Sequence, residues 1–248
     1  MSPTRLILDP PAGGVWNMSV DEALLERADL EGVATLRFYQ WEAPTLSLGY
    51  FQAYAQRRAH APSAQCPVVR RRSGGGAIVH DQELTYSVAL PADRPLARRP
   101  LDLYCAVHRA LVAVIGEQSG LACRVFGDSE PPPPGEPFLC FLRRSSGDVV
   151  ASDCGAKLCG AAQRRRRGAV LQHGSILLGR SVAAPELAGL ADLSGRAVDA
   201  DRLRDPLIDR LTALLGGLEP ATLGPAEQEA AARIADQRFA DRDWTQRR

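Results

Sequence analysis

"ASDCGAKLCGAAQRRRRGAVLQHGSILL", residues 151–178, decides how this chain folds, because it reads as a pair of β-runs turned back on each other. Upstream lies "GDVVAS"; "SDCG" makes a hairpin turn into "AKLCGAAQ", and "GAVLQHGSILL" follows across "QRRRRG". The stretch also holds the only lysine of the chain: of thirty lysines and arginines, twenty-nine are arginine. Lysine is a compact cation that can lose its proton, whereas arginine is a planar fork that stays charged. A site needing one small cation or an amine explains Lys157, and so does a chain that has drifted to arginine with one lysine left over.

Outward from this pair, "TRLILD" predicts a first strand. Asn17 or Ser19 then opens a helix through "SVDEALLERADL", with Val20, Leu24, Leu25 and Ala28 as its apolar stripe and Asp21 and Glu22 in its first turn. "ATLRFYQW", "PTLSLGYFQ", "CPVVRRRSGGG", "AIVH" and "ELTYSVALP" predict strands, and residues 101–119 return to helical spacing. "PPPPG" at 131–135 marks a surface loop, "PFLCFLR" reads as a further strand, and from about 199 onward the chain reads as helical. The pattern predicts an α+β domain of mixed, largely antiparallel sheets packed with helices. Regular βαβ alternation is missing, which disfavours a Rossmann or barrel fold.

A chain of 248 residues with 45% hydrophobic and 24% charged residues has the composition of a soluble globular protein. A net charge of +1 gives no global argument for nucleic acid or a membrane surface. With no membrane-length apolar run and no signal-like N-terminus, the expected location is cytoplasmic. Cysteines 66, 105, 123, 140, 154 and 159 are too scattered for a disulfide framework, and the Cys154/Cys159 spacing does not suit zinc, so no metal is expected.

In "RRRSGGGAIVHD", residues 70–81, three glycines between strands let a ligand approach the main chain, and Arg70–Arg72 suggest an anion. A glycine-rich turn beside a solvated basic patch is the competing reading, and no Gly-Lys-Ser/Thr follows to make a Walker loop. His80 and His173 read equally as hydrogen-bonded core or turn histidines. Cys140, flanked by Phe138, Leu139 and Phe141, reads on its own as a buried core thiol.

Taken together, "NMSVDEALL" (17–25), "RFYQWEAPTLSLGYFQ" (37–52), "RRRSGGGAIVHDQELTYSV" (70–88), "AKLCGAAQRRRRGAVLQHGSILL" (156–178) and "FADRDW" (239–244) resemble the biotin and lipoate protein ligase and octanoyltransferase superfamily, with its class II synthetase-like catalytic domain. The likeness is greatest to the cysteine-dependent octanoyltransferases. It implies a catalytic domain over residues 1–198 and a C-terminal helical segment, 199–248, packed on it. It implies transfer of octanoyl from octanoyl-acyl carrier protein, through a Cys140 thioester, to a lysine of a lipoyl domain or of glycine-cleavage H protein. Cys140 is then the nucleophile, with Cys159 and Cys154 as rival thiols, and Lys157 binds the acyl carbonyl while favouring a thiolate beside it. Arg71, Gly75, Gly76, Ala77, Ile78, Val79, His80, Gly160, Ala162 and His173 would line the acyl pocket. No cofactor is then needed, because octanoyl-phosphopantetheine arrives on the donor carrier. ATP and Mg²⁺ enter only if the chain is a lipoate ligase; an amidotransferase between carrier proteins and a non-catalytic acyl- or carrier-binding protein are the other readings. Arg143, Arg144 and Arg164–Arg167 are candidate contacts for an acidic carrier.

Overall fold

In the computed structural model, which describes residues 2–127, 129–131 and 135–248, the β-runs assemble into two sheets. Part of the expected "PPPPG" loop, residues 132–134, lies outside the described residues. In chain order the elements are β1 (Thr4–Leu8), α1 (Gly14–Glu31), β2 (Thr35–Tyr39), β3 (Thr45–Leu48), β4 (Val68–Arg70), β5 (Ile78–His80), β6 (Glu83–Leu90), α2 (Pro95–Arg98) and α3 (Pro100–Ser119). They continue with β7 (Cys123–Val125), β8 (Val149–Ala151), β9 (Lys157–Arg166), β10 (Ala169–Leu177), α4 (Leu190–Ser194), α5 (Ala200–Leu214), β11 (Leu218–Ala221), α6 (Pro225–Ile234) and α7 (Arg242–Gln246).

The larger sheet has the order β11-β1-β2-β6-β10-β9-β8-β7. It is parallel at β11/β1/β2 and antiparallel across the rest. The smaller sheet has the order β4-β3-β5. Every residue of β2 and β6 is buried, so these central strands are covered on both faces, although β6 still alternates, with Leu84, Tyr86 and Val88 on the face opposite Glu83, Thr85 and Ser87. Leu36 and Phe38 join Val107 and Leu111 of α3 and Leu203 and Leu207 of α5 on one face. Tyr39 joins Leu24 of α1 and Ile234 of α6 on the other. A third apolar cluster, with Leu46, Val79, Leu139 and Phe141, belongs to the smaller sheet. Each large apolar side chain so buried contributes about 1.5–3 kcal/mol before conformational entropy is counted.

Helix α1 begins earlier than the Asn17/Ser19 start expected above. Its N-cap is Gly13, and Gly14 has no room for a side chain: a β-carbon there would lie 2.9 Å from Thr45 and Trp41. Ser19 donates within the helix to the Val15 carbonyl at 2.7 Å, and Asn17 donates to the Ala12 and Gln40 carbonyls. Asp21 and Glu22 consequently sit in the helix interior, buried and paired with arginines, rather than in its first turn.

Three further departures bear on the site. "PFLCFLR" is no strand but a bridge at Leu139 to Ala77 followed by a tight 3₁₀ turn, Cys140–Leu142. "QRRRRG" is mostly strand, since β9 runs to Arg166 and the turn is confined to Arg167, at φ 45°, and Gly168. The C-terminal stretch is not wholly helical, because β11 adds a parallel edge strand beside β1. Among the described residues, no helix is long and apolar enough to cross a membrane.

Candidate active site

Burial alternates along "FLCFL", and this explains how Cys140 is presented. Leu139 and Phe141 are buried in the third apolar cluster, while Cys140 between them stays only partly buried. The turn is fastened to the glycine loop: the Cys140 N–H donates to the Ala77 carbonyl at 2.7 Å, and the Ala77 N–H donates to the Phe138 carbonyl at 3.0 Å. Gly76 allows this approach, because a β-carbon there would lie 3.0 Å from the Cys140 nitrogen. Gly75 turns through φ 93°, and a side chain at Gly49 would run into its carbonyl oxygen at 1.9 Å.

Lys157, the first residue of β9, places its Nζ 3.7 Å from Cys140 Sγ. It is also 2.8 Å from Asp148 Oδ2, and both side chains are buried. Burial alone would lower the lysine pKa, but the negative charges available at Cys140 and Asp148 outweigh it and hold Lys157 above the ordinary lysine value. A β-bulge at Val149/Val150 accompanies the pairing that sets Lys157 opposite Val150.

A cavity enclosing some 480 Å³, its mouth included, opens beside the thiol. Its wall includes Arg71, Gly75, Ile78, His80, Cys140, Gly160, Ala162 and His173 from the expected set, together with Met18, Tyr39 and Phe141. Gly76 and Val79 are exceptions: Gly76 packs against the Cys140 backbone, and the strand period of two turns Val79 away from Ile78 and His80 into the third apolar cluster. Ala77 also packs there, and its contribution to the site is the backbone grip on Cys140.

Arg71, buried on the cavity wall, donates to the Ser47 carbonyl at 2.8 Å and to the Gly76 carbonyl at 2.9 Å. Its neighbours are committed elsewhere. Arg70 donates to the carbonyls of Gly49, Gln52 and Thr245, and Arg72 pairs with Glu22, so the basic triplet is no open anion patch. His80 stacks on Trp41 at 3.9 Å and bonds Ser47 Oγ at 2.6 Å and Glu83 at 2.7 Å. Burial lowers its pKa below the usual histidine value despite Glu83. His173 lies between Ser73 Oγ, at 2.6 Å, and Asp21 Oδ2, at 3.3 Å. Burial would raise the Asp21 pKa, but the His173 hydrogen bond and the Arg37 charge bring it below the ordinary value.

The rival thiols are placed differently. Cys159 is fully buried against His108 at 3.6 Å, and burial pushes its pKa well up, which disfavours the thiolate. Cys154 is exposed in the β8–β9 turn. Asp148 was not among the expected site residues, because "SSGDVV" reads as the approach to a strand. A buried lysine nevertheless requires a nearby acceptor, but sequence proximity alone would point to Asp153, which is exposed, rather than to Asp148.

A two-sheet α+β fold with a thiol on the wall of a cavity and a buried ammonium beside it suits the class of protein that binds or transfers an acyl group. The chain belongs to the lipoyl protein ligase A/B catalytic domain family, which matches residues 14–199. It is similar to the octanoyltransferase LipM of Kyrpidia tusciae, 33% identical over 281 aligned positions covering 100% of both chains. It is also similar to the octanoyltransferase LipM of Moorella thermoacetica, 32% identical, covering 94% of this chain and 93% of that one. In fold it matches protein Ta0514 from T. acidophilum, solved with bound lipoic acid, at a TM-score of 0.78 and 22% identity, covering 99% and 100% of the two chains.

Proposed function

We propose that the chain is an octanoyltransferase of lipoate biosynthesis that carries the octanoyl group on Cys140. The observation that carries this reading is the 3.7 Å approach of Lys157 Nζ to Cys140 Sγ at the cavity wall. In the first half-reaction the Cys140 thiolate attacks the thioester carbonyl of octanoyl-acyl carrier protein. The new C–S bond replaces the old one, and the phosphopantetheine thiolate leaves and takes up a proton. In the second, the ε-amine of a lysine on a lipoyl domain or H protein attacks the acyl-Cys140 carbonyl. A C–N bond forms, the C–S bond breaks, and the amine proton passes to the departing thiolate. Thioester exchange keeps the acyl group activated, so neither ATP nor a metal is required.

Lys157 supplies positive charge where the carbonyl oxygen becomes an oxyanion in both steps. Residues 1–198 carry the chemistry, with 199–248 supporting them. Arg143 and Arg144, directly after the Cys140 turn, suit contact with an acidic donor carrier. Reduced cysteines fit a cytoplasmic location.

Intact-mass measurement after mixing the protein with octanoyl-acyl carrier protein, without ATP, tests this reading. A hydroxylamine-labile octanoyl group on Cys140 that moves to an added apo lipoyl domain is expected, and Cys140→Ser removes both. Modification of the lipoyl domain only when octanoate or lipoate and ATP are supplied, unaffected by Cys140→Ser, means a ligase instead.

A further inference from the structure

The chemistry just described contains a hazard. Transfer from a thioester to a lysine amine is the reaction performed on the acceptor, and the first lysine amine an acyl-Cys140 meets is that of Lys157, 3.7 Å from the sulfur. The acyl carbon is one bond beyond that sulfur, close to the separation at which reacting atoms engage. Attack by Lys157 would form a C–N bond and break the C–S bond, with the amine proton passing to the Cys140 thiolate. The product, an amide on Lys157, is inert to exchange and would end turnover.

We propose that Asp148 is a positioning residue that keeps Lys157 as a non-nucleophilic ammonium and so guards the enzyme against acylating itself. The inference rests on the acyl-Cys140 reading. Asp148 is only 1% exposed, and each of its oxygens is engaged. Oδ2 takes Lys157 Nζ at 2.8 Å and the Ser145 N–H at 2.7 Å, while Oδ1 accepts from Tyr104 OH at 2.8 Å. The turn bearing it is held by α3 through His108 Nδ1, 2.6 Å from the Gly147 carbonyl oxygen.

No second buried carboxylate is paired with Lys157 among the described residues. Facing its Nζ are Cys140 and the Phe141 ring from the turn, the latter at 5.5 Å, Cys159 from β9, and Tyr104 and His108 from α3 behind Asp148. Burial pushes His108 down to about 4, so it stays neutral at physiological pH and adds no rival cation. Burial and the Asp148 charge raise Tyr104, which stays a hydrogen-bond donor. Asp148 is therefore the one carboxylate within ion-pair reach of the Lys157 ammonium among the described residues. When Cys140 is acylated its sulfur can no longer carry a negative charge, and the burden falls on Asp148 at the stage when a free amine would be most damaging.

The experiment uses the full chain with octanoyl-acyl carrier protein and no acceptor, followed by peptide mapping with and without hydroxylamine. The wild type should hold a hydroxylamine-labile octanoyl group on Cys140. In Asp148→Asn, which retains hydrogen bonding but not charge, the label should migrate to Lys157 as a hydroxylamine-stable amide. Its formation should be at least about tenfold faster than in the wild type, because an opposite charge at this distance is worth one to three pKa units. Asp148→Glu should restore much of the protection.

A Cys140 thioester in Asp148→Asn that lasts as long as in the wild type, with Lys157 unmodified, overturns the guard and leaves the transferase reading intact. Absence of any thioester on wild-type Cys140 removes the transferase reading and the guard with it. Should Asp148→Asn fail to fold, the wild type gives the answer: with Asp148 holding the proton, amide formation on Lys157 should still climb about tenfold per pH unit as the pH passes the ordinary lysine value of about 10.4. A profile that is flat, or that levels off below that value, refutes the proposal.

Discussion

Gly160 shows how closely single atoms are specified around the reactive pair. A β-carbon there would lie 2.3 Å from Lys157 Cε and 2.6 Å from Nζ. The side chain would yield before the strand does, because Nζ is the far end of a flexible chain and Gly160 is held in the β9/β10 register opposite Ser175. Gly160→Ala should therefore fold normally but displace the ammonium from Cys140. A displacement near 1 Å costs on the order of 100-fold in rate. Rates of Cys140 acylation beside thermal melts check this: an unchanged rate would mean that the lysine position does not matter. The same crowding explains why this one basic residue is lysine. Asp148 and Cys140 present a narrow space suited to a compact cation, whereas a guanidinium would bring five donors to it.

Between elements, charge pairs fix how α1 sits on the main sheet. Glu22, Glu26 and Asp29 lie at i, i+4 and i+7, on one helix face. Arg164 of β9 meets Glu22, Arg166 meets Glu26 at 3.0 Å and Asp29 at 2.9 Å, and Arg167 meets Asp29. Arg233 of α6 closes on Glu26 from the other side. Arg164, Arg166 and Arg167 of the run thereby join helix to sheet. Arg166→Met combined with Arg167→Ser should lower stability by about 1 kcal/mol, the usual scale for partly exposed pairs, and leave acylation by the carrier unchanged. A urea midpoint and the acylation rate measure the two effects; slower acylation with unaltered stability would return the run to a docking role. These pairings also mark the limit of what local sequence shows. The strands flanking Lys157 and the stripe of α1 are readable because their spacing is local. The burial of Asp21, the pairing of Arg164 and the guarding position of Asp148 depend on partners from distant elements. Cys140 is the mixed case: its apolar neighbours indicate burial, yet the bridge from Leu139 to Ala77 is what turns the thiol towards Lys157.

At the scale of the whole molecule, the last thirty residues close structures begun by the first forty. β11 pairs with β1 from Thr4↔Leu218 to Ile7↔Ala221 as the eighth strand of the sheet, covering what would otherwise be an open β1 edge. Ala231 and Ile234 of α6 pack into the same apolar cluster as Leu24 and Ala28 of α1. Glu227, also of α6, pairs with Arg5 of β1 and Arg27 of α1. Farther on, Trp244 donates to the Arg70 carbonyl at 3.0 Å, and Arg70 donates back to Thr245, tying α7 to the strand that leads into the glycine loop. Removing residues 218–248 would expose the β1 backbone, the apolar side of α1 and the buried Arg70 guanidinium together. An unpaired edge strand and a bare apolar face favour association with other chains. The truncated protein is expected to aggregate on expression, and any soluble fraction should lack a cooperative thermal transition by circular dichroism. A soluble, cooperatively melting fragment 1–217 that still took octanoyl on Cys140 would instead make the C-terminal segment an accessory, with the sheet stable at its β1 edge alone.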